Sequence, residues 1–289
     1  PKVSICVVTY NHEKYIKQAL QSIIDQDVDF EIEIVIGDDC SSDGTRLIID
    51  RFYQQYPETI VRIFHDRNLG AVGNYFATHA VAKGEYIAHL DGDDYFLPGK
   101  LKSQVCFLDA NADCNIVWHR VKYLYDNKVF VDDLIDFEKI KGGFFREDLI
   151  KFPFIANHST KMYRSKMRTF SPPSERTMDY FLNIAHVGDG FASYVGTGVY
   201  GVYRAGIGVS SSSDLVFREY MLDGLKELLS VKRSDCVAIN LVALTLLLAD
   251  IKNGNRTLNK SFRLWLKTFN FKSAIMYLKY LSSRTMFRA

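Results

Sequence analysis

The first hundred residues alternate between two hydrophobic periods. Val3 to Thr9 is a nearly unbroken apolar run, the pattern of a parallel strand buried on both faces. Within Glu13 to Gln26, the residues Tyr15, Ile16, Ala19, Leu20, Ile23 and Ile24 recur at helical spacing. Ile32 to Ile36 is a second strand that ends in Gly37-Asp38-Asp39, and Ser41 to Gly44 supply a loop and a helix cap. A helix to about Tyr56, a strand from Ile60 to Phe64, a helix from Ala71 to Ala82 and a strand from Tyr86 to Leu90 follow. Pro98 opens a further helix, with Leu101, Val105 and Leu108 on one face. Such alternation predicts an α/β fold with a Rossmann-like, mostly parallel central sheet flanked by helices.

Beyond residue 110 the periodicity weakens. Ile116 to Tyr125, Lys161 to Tyr163 and Val199 to Tyr203 read as strands, and Glu175 to His186 as a helix. After the serine run 210–213 the pattern is helical over Leu215 to Val231, Asp235 to Ile251 and Lys260 to about Leu281. The expected organisation is therefore a catalytic domain over 1–212, in halves 1–110 and 111–212, with a helical extension over 213–289.

Charge sharpens that division. The formal net charge is +2, yet nine Lys and Arg fall between Lys252 and Arg288 and no acidic residue follows Asp250, which leaves about −7 on the rest. A hydrophobic content of 47% excludes disorder. Five widely spaced cysteines without a CxxC pair fit a reducing cytosol better than a disulfide framework. The run from Val3 begins too early for a secretory signal. The longest apolar run, Val237 to Ala249, is shorter than the ~20 residues that span a bilayer.

In open α/β sheets, ligands bind outside the carboxyl ends of the strands. Three polar clusters fall at such ends: Thr9-Tyr10-Asn11, Asp38-Asp39 and Asp91-Gly92-Asp93-Asp94. Three carboxylates within four residues repel one another unless a cation or hydrogen-bond donors compensate. Mg²⁺ is commonly held by one or two carboxylates together with substrate phosphates. The same string also fits an acidic turn capping the helix after Pro98. Asp39 can accept from a nucleotide base or ribose, or can form an Asx-turn into the next helix. Asp179 lies among Met178, Tyr180, Phe181 and Leu182. Apolar surroundings would raise its pKa and suit a general base, whereas an exposed position near a helix start would suit the helix dipole.

Other chemistries lack their signatures. There is no Gly-x-Gly-x-x-Gly after the first strand, no P-loop and no Gly-x-Ser-x-Gly elbow. The seven histidines show no zinc spacing. His119 and His158 remain candidate contacts to a diphosphate or acceptor, although a lone histidine is more often a satisfied structural residue.

The segment from Val3 to Asn11, then Gly37 to Thr45, then Asn68-Leu69-Gly70 with Asn74, then Leu90 to Asp94, resembles the family 2 glycosyltransferases in order and spacing. That resemblance implies the GT-A fold and inverting transfer of a sugar from a nucleotide diphosphate donor, usually UDP-linked. By position, Thr9, Tyr10 and Asp39 would hold base and ribose, and Asn68 and Asn74 would lie along the nucleotide. Asp91 would contact ribose or metal, and Asp93 would be the chief ligand of Mg²⁺ or Mn²⁺. Met178 to Ala185 is similar to the family helix that carries the general base, at Asp179. Val202-Tyr203-Arg204 resembles the segment after it. Many members place a histidine two residues beyond, where this chain has Gly206, and Arg204 is a candidate to serve the diphosphate instead.

The implied acceptor is a glycan or lipid-linked glycan, and the analogy is to bacterial surface-polysaccharide synthesis such as O-antigen, lipopolysaccharide or capsule. A basic tail interleaved with Phe262, Trp265, Phe269 and Phe271 fits either an anionic membrane surface or a helix packed on the domain. The expected location is cytoplasmic, peripheral on the inner face of the plasma membrane, with no nucleic-acid partner. A sugar-nucleotide pyrophosphorylase would carry a Gly-rich loop with Thr-Arg where this chain has Tyr10 to Glu13. A catalytically silent nucleotide-sugar-binding or membrane-associated subunit remains the alternative.

Overall fold

The computed structural model describes residues 1–125, 130–132, 140–153, 155–169, 179–206 and 214–282. Contacts divide the chain into two units. One comprises Pro1–Asp133, Ala156–Pro172 and Ala185–Gly208; the other comprises Leu134–Ile155, Pro173–Ile184 and Val209–Ala289. The helical unit thus takes in two stretches from the middle of the chain in addition to the C-terminal region.

The first unit is built on a sheet. Strand β1 (Val3–Thr9) lies between β2 (Ile32–Asp38) and β4 (Tyr86–Asp91), parallel to both, and β3 (Ile60–Phe64) extends the parallel set beyond β2. A strand with neighbours on both sides and helices on both faces has no solvated side, so its sequence is continuously apolar. Val3, Ile5 and Val7 are 0% exposed, as are Ile34, Ile36 and Leu90. Burying each such side chain contributes roughly 1.5–3 kcal/mol.

Beyond β4 the sheet becomes mixed. Strand β8 (Met162–Arg164) pairs antiparallel with both β4 and β6 (Cys114–Leu124). Strand β9 (Phe191–Arg204) runs parallel to β6 and receives the short β5 (Tyr95–Phe96), while β7 (Phe130–Asp132) pairs with β6. The full order is β3-β2-β1-β4-β8-β6-β9-β5. Helices α1 (Ile16–Ile24), α2 (Thr45–Gln55), α3 (Gly70–Ala80) and α4 (Lys100–Ala110) connect the strands. Helix α2 starts with Gly44 at its N-cap, and Asp43 forms an Asx-turn before it, Oδ1 accepting from the Thr45 N–H at 3.0 Å.

The second unit is helical: α5 (Arg146–Lys151), the start of α6 (Asp179–Val187), α7 (Asp214–Val231), α8 (Cys236–Asn253), α9 (Leu258–Lys267) and α10 (Phe271–Ser282). Helix α8 is long and apolar enough to cross a membrane. However, half of that stretch is buried, and two polar residues anchor it inside the unit. Asp250, 0% exposed, accepts from Arg218, Thr257 and Ser261 at 2.7–2.8 Å. Asn240 donates to Thr268 Oγ1 at 2.8 Å and accepts from Ser273.

The single helix expected from Lys260 to Leu281 is two helices, because Thr268 turns its hydroxyl to Leu264 O and Asn270 caps a new start by accepting from the Lys272 N–H at 2.8 Å.

Candidate functional site

Strand register brings the polar ends together. Thr9 stands opposite Asp38, and Val8 opposite Asp91. The N–H of Asp39 donates to Thr9 O at 2.9 Å, and the N–H of Gly92 to Val8 O at 2.8 Å. A Cβ at Gly92 would lie 2.8 Å from Thr9 Cβ and from His12 Nδ1, so only glycine lets the acidic loop close against the end of β1. Tyr10, 46% exposed, stands at the same edge.

The carboxylates at this edge have different partners. Asp38 is 0% exposed and belongs to the fold, accepting from Arg46 Nε and the Ser41 N–H. Asp39 accepts from the Leu69 N–H through Oδ1 at 2.6 Å, and its Oδ2 has no protein donor among the described residues. Asn68 braces the same turn, its amide donating to Asp39 O at 3.1 Å.

Asp94 Oδ1 accepts from the Arg204 N–H at 2.9 Å, and Oδ2 from the Ser159 hydroxyl at 2.6 Å. Ser159 also lies 3.3 Å from Asp91 Oδ2, but a hydroxyl has one proton and the shorter bond takes it. Its oxygen in turn accepts from the Asp91 N–H at 3.1 Å. The side-chain donor left to Asp91 is His89, whose Nε2 is 3.1 Å from Oδ1. Asp93, 7% exposed, accepts no hydrogen bond from another described residue.

All three carboxyls are raised above the ordinary carboxylate range. Burial is the main cause at each; repulsion from Asp91 adds at Asp93, and repulsion from Asp91 and Asp93 adds at Asp94. His12 pulls Asp91 and Asp93 the other way, and Arg204 does so at Asp93. This concentration of incompletely compensated negative charge suits a hard divalent ion. Among the described residues no three His, Cys, Asp or Glu side chains form a ready-made metal cluster, so such an ion would complete its oxygen shell from a ligand's phosphates and from water.

Three expectations need correction. Asn74 does not offer its amide to a nucleotide: it is 2% exposed, Nδ2 donates to Gly37 O at 2.9 Å, and Oδ1 faces His65 Nε2 at 3.0 Å. His119 is 1% exposed, with Nδ1 on Arg120 O and its ring against Gly201. Burial, with Lys100 nearby, holds it well below the usual histidine range, so it is neutral and internal. His158 packs against His89 at 3.9 Å between ring centroids, and burial depresses it likewise. Arg204 does lie by the acidic loop, its guanidinium over the rings of Tyr15 and Tyr95 at 4.9 and 5.3 Å. Gly206 adopts φ +83°, a conformation a histidine there would hold only under strain.

In the helical unit, Asp179 opens α6 and is exposed, while Tyr180, Phe181 and Leu182 are buried. Its chain neighbours enter the core; the carboxylate itself does not.

Sequence reasoning missed Ser159, His12 and the histidines behind Asp91. His89 and Asp91 are two apart on a strand and therefore share a face, a signal available in the sequence. The long arm of β9 was missed as well, since Gly196 and Gly198 interrupt its pattern.

The acidic loop stands at the carboxyl ends of the central strands, where ligands bind in open α/β sheets. The sequence pattern of the family described as glycosyl transferase family 2 matches residues 4–167, more than half of the chain, and the chain belongs to that family. It is 31% identical over 189 residues to the uncharacterized protein Rv1520 of Mycobacterium tuberculosis, covering 64% of this chain and 53% of that protein. It is 30% identical over 165 residues to abequosyltransferase RfbV of Salmonella typhimurium, covering 57% and 47% respectively. The chain thus spans about half the length of these relatives. S. aureus TarS 1-349, solved in complex with UDP-GlcNAc, shares the fold with a TM-score of 0.67 at 21% identity, over 93% of this chain and 79% of that one.

Proposed function

We propose that the chain is an inverting glycosyltransferase that moves a sugar from a nucleotide diphosphate donor, UDP-linked, to a hydroxyl of a glycan or lipid-linked glycan. The observation that carries this reading is the convergence of Asp39, Asp91 and Asp93 at adjoining strand ends, where Asp93 and Asp39 Oδ2 accept from no other residue among those described. Family membership supports it, as do the sugar-transferring relative and the UDP-GlcNAc complex of a protein with the same fold.

Asp39 is suited to accept from the base or ribose, beside Thr9 and Tyr10. Asp93 and Asp91 would hold Mg²⁺ or Mn²⁺, which when bound neutralises the diphosphate as it leaves. Arg204 brings a further positive charge to the acidic loop. For the general base the chain offers Asp179, on the strength of its position in the family helix; its carboxylate is exposed. It takes the proton of the acceptor hydroxyl as that oxygen bonds to the anomeric carbon and the bond to the diphosphate breaks.

A lipid-linked acceptor accords with the surface of the helical unit. Phe262, Leu266, Phe269, Phe271 and Ile275 are 46–80% exposed, with exposed Arg263, Lys267 and Lys272 among them and no acidic residue after Asp250. The polar Ser261, Thr268 and Ser273 face inward. An apolar face edged by cations matches an anionic bilayer surface. Vesicles containing anionic lipid should co-sediment the protein and neutral vesicles should not. Self-association at equal vesicle binding would assign the face to a second copy instead.

Calorimetric titration with UDP, GDP and dTDP, each with Mn²⁺ or Mg²⁺ and again with EDTA, tests the donor assignment. Metal-dependent binding of UDP that disappears in Asp93→Ala supports it. Absence of binding to all three nucleotides overturns it.

A further inference from the structure

Behind Asp91 lies a file of buried groups that the proposed reaction does not use. His89 Nε2 meets Asp91 Oδ1 at 3.1 Å, His89 Nδ1 meets His79 Nε2 at 3.0 Å, and His79 Nδ1 meets the Tyr163 hydroxyl at 2.9 Å. His79, His89 and Tyr163 are each at most 1% exposed. Tyr75 stacks on His79 at 3.8 Å and His186 on Tyr163 at 4.1 Å, so the rings cannot turn. They span three elements: His89 from β4, His79 from α3 and Tyr163 from β8.

The chemistry of the Asp91 end sets the proton order in this file, since the Tyr163 hydroxyl can donate or accept. An ionised carboxylate only accepts, so His89 must carry its proton on Nε2. A neutral imidazole has one N–H, which makes His89 Nδ1 an acceptor and requires His79 to carry its proton on Nε2. His79 Nδ1 then accepts from the Tyr163 hydroxyl. Reversing either histidine's tautomer would set two lone pairs, or two protons, against each other inside the core, at a cost of a buried unsatisfied group.

We infer that His89 and His79, with Tyr163 as terminal donor, are positioning residues that fix the direction of the Asp91 carboxylate toward the donor. The inference rests on the reading of Asp91 as part of the donor and metal site. Ser159 lies 3.3 Å from the other oxygen, Oδ2, and so leaves Oδ1 to His89. The arrangement parallels the outer partners that orient ligating groups at metal centres, whose loss weakens metal affinity about 10–100-fold.

The test has two independent arms on the full chain. Long-range ¹⁵N–¹H correlation spectra of the labelled wild-type protein should show both His89 and His79 as the Nε2–H tautomer. Either one as Nδ1–H overturns the inference, whatever the protein binds. In the second arm, His89→Phe should weaken Mn²⁺-dependent UDP binding about 10–100-fold. His89→Gln, which keeps a donor near the Nε2 position, should restore most of it, and Tyr163→Phe should cost only a few-fold. Wild-type affinity in a folded His89→Phe variant overturns the positioning role while leaving the donor assignment intact. Failure of the wild-type protein to bind any nucleotide sinks the donor assignment, and the tautomers still decide the proton order. If His89→Phe does not fold, the Tyr163→Phe affinity and the wild-type spectra carry the decision.

Discussion

The two units treat polarity in opposite ways. In the sheet unit the apolar residues are inside and the carboxylates collect at one strand edge, where Asp93 is buried and accepts from no other described residue, and Asp91 Oδ1 is held by His89. In the helical unit the buried carboxylate is fully engaged, with Asp250 accepting from Arg218, Asn255, Thr257 and Ser261, while large apolar side chains face outward. A buried charge with partners holds a fold together; one without partners marks a place where something else is meant to bind. By the same logic, exposed aromatics beside cations mark a surface that is meant to be covered.

The largest effect expected from breaking this contrast concerns Asp179. Asp179→Asn should lower kcat about 10²–10⁴-fold while donor affinity stays within a few-fold. Equal loss in both, measured by turnover and calorimetry, would make the residue structural.

Next is Asp250→Ala, which strands the part-buried Arg218 and three other donors. It should cost about 3–5 kcal/mol in the helical unit by denaturant titration and leave UDP affinity nearly unchanged.

Asp93→Asn should do the reverse. Metal-dependent UDP binding should fall more than ~100-fold, beyond the loss from an outer partner. Without metal, the melting temperature should rise about 2–4 °C, the shift that ~1 kcal/mol gives in a chain of this size. A fall in melting temperature would mean that Asp93 has a structural partner after all.

The same contrast predicts two responses to acid. The Asp91, Asp93 and Asp94 carboxyls are raised, so the folded state holds their protons more tightly than the unfolded chain does. Their destabilising effect is present at neutral pH and fades as pH falls through their folded values toward ~3.9. Asp250 is held below the ordinary range: burial opposes its ionisation, but donation from Ser261, Asn255 and Thr257 and the charge of Arg218 outweigh it. Its contribution is complete above ~3.9 and disappears only as pH falls through its folded value. The sheet unit also holds five histidines, His79, His89, His119, His158 and His186, neutral by burial, and below ~6.5 the unfolded chain takes up protons that these do not. Five such groups outnumber the three carboxyls, so hydrogen exchange followed from pH 7 to 4.5, corrected for intrinsic rates, should show the sheet unit losing protection while the helical unit holds constant. Asp93→Asn, which removes one of the opposing carboxyls, should steepen the loss.

The smallest effect is at the surface. Phe271→Ala should weaken binding to anionic vesicles about tenfold, since one large apolar side chain is worth roughly 1.5 kcal/mol or more.

Much of this was legible in the sequence where one force dominated. Strands β1, β2 and β4 are continuous apolar runs with polar ends, and both features follow from burial in a parallel sheet. Positions where two forces compete were not legible. Asn74 looks available for a ligand, but it is buried, with its amide nitrogen donating to a backbone carbonyl. Asp179 was expected among its apolar chain neighbours, yet helical geometry sends adjacent residues to different faces. The break before α10 depends on two side chains, Thr268 and Asn270, that outbid helix continuation locally. His79 and His89 lie on consecutive elements, but their meeting with Tyr163 of β8 depends on how the sheet assembles, and no local pattern records that.

The position of β1 between β2 and β4 also governs when the protein can come into being during translation. The register joins Val8 to Gly37 on one side and to Asp91 on the other. The ribosome must therefore release about eighty residues beyond β1 before that strand has both neighbours, and β8, which flanks β4, arrives some seventy residues later still. During that interval an apolar segment with unpaired backbone stands exposed, at synthesis rates of about 5–20 residues per second, for several seconds or more. Nascent chains halted before Asp91 should be strong clients for chaperones, and those halted beyond Arg164 much weaker ones.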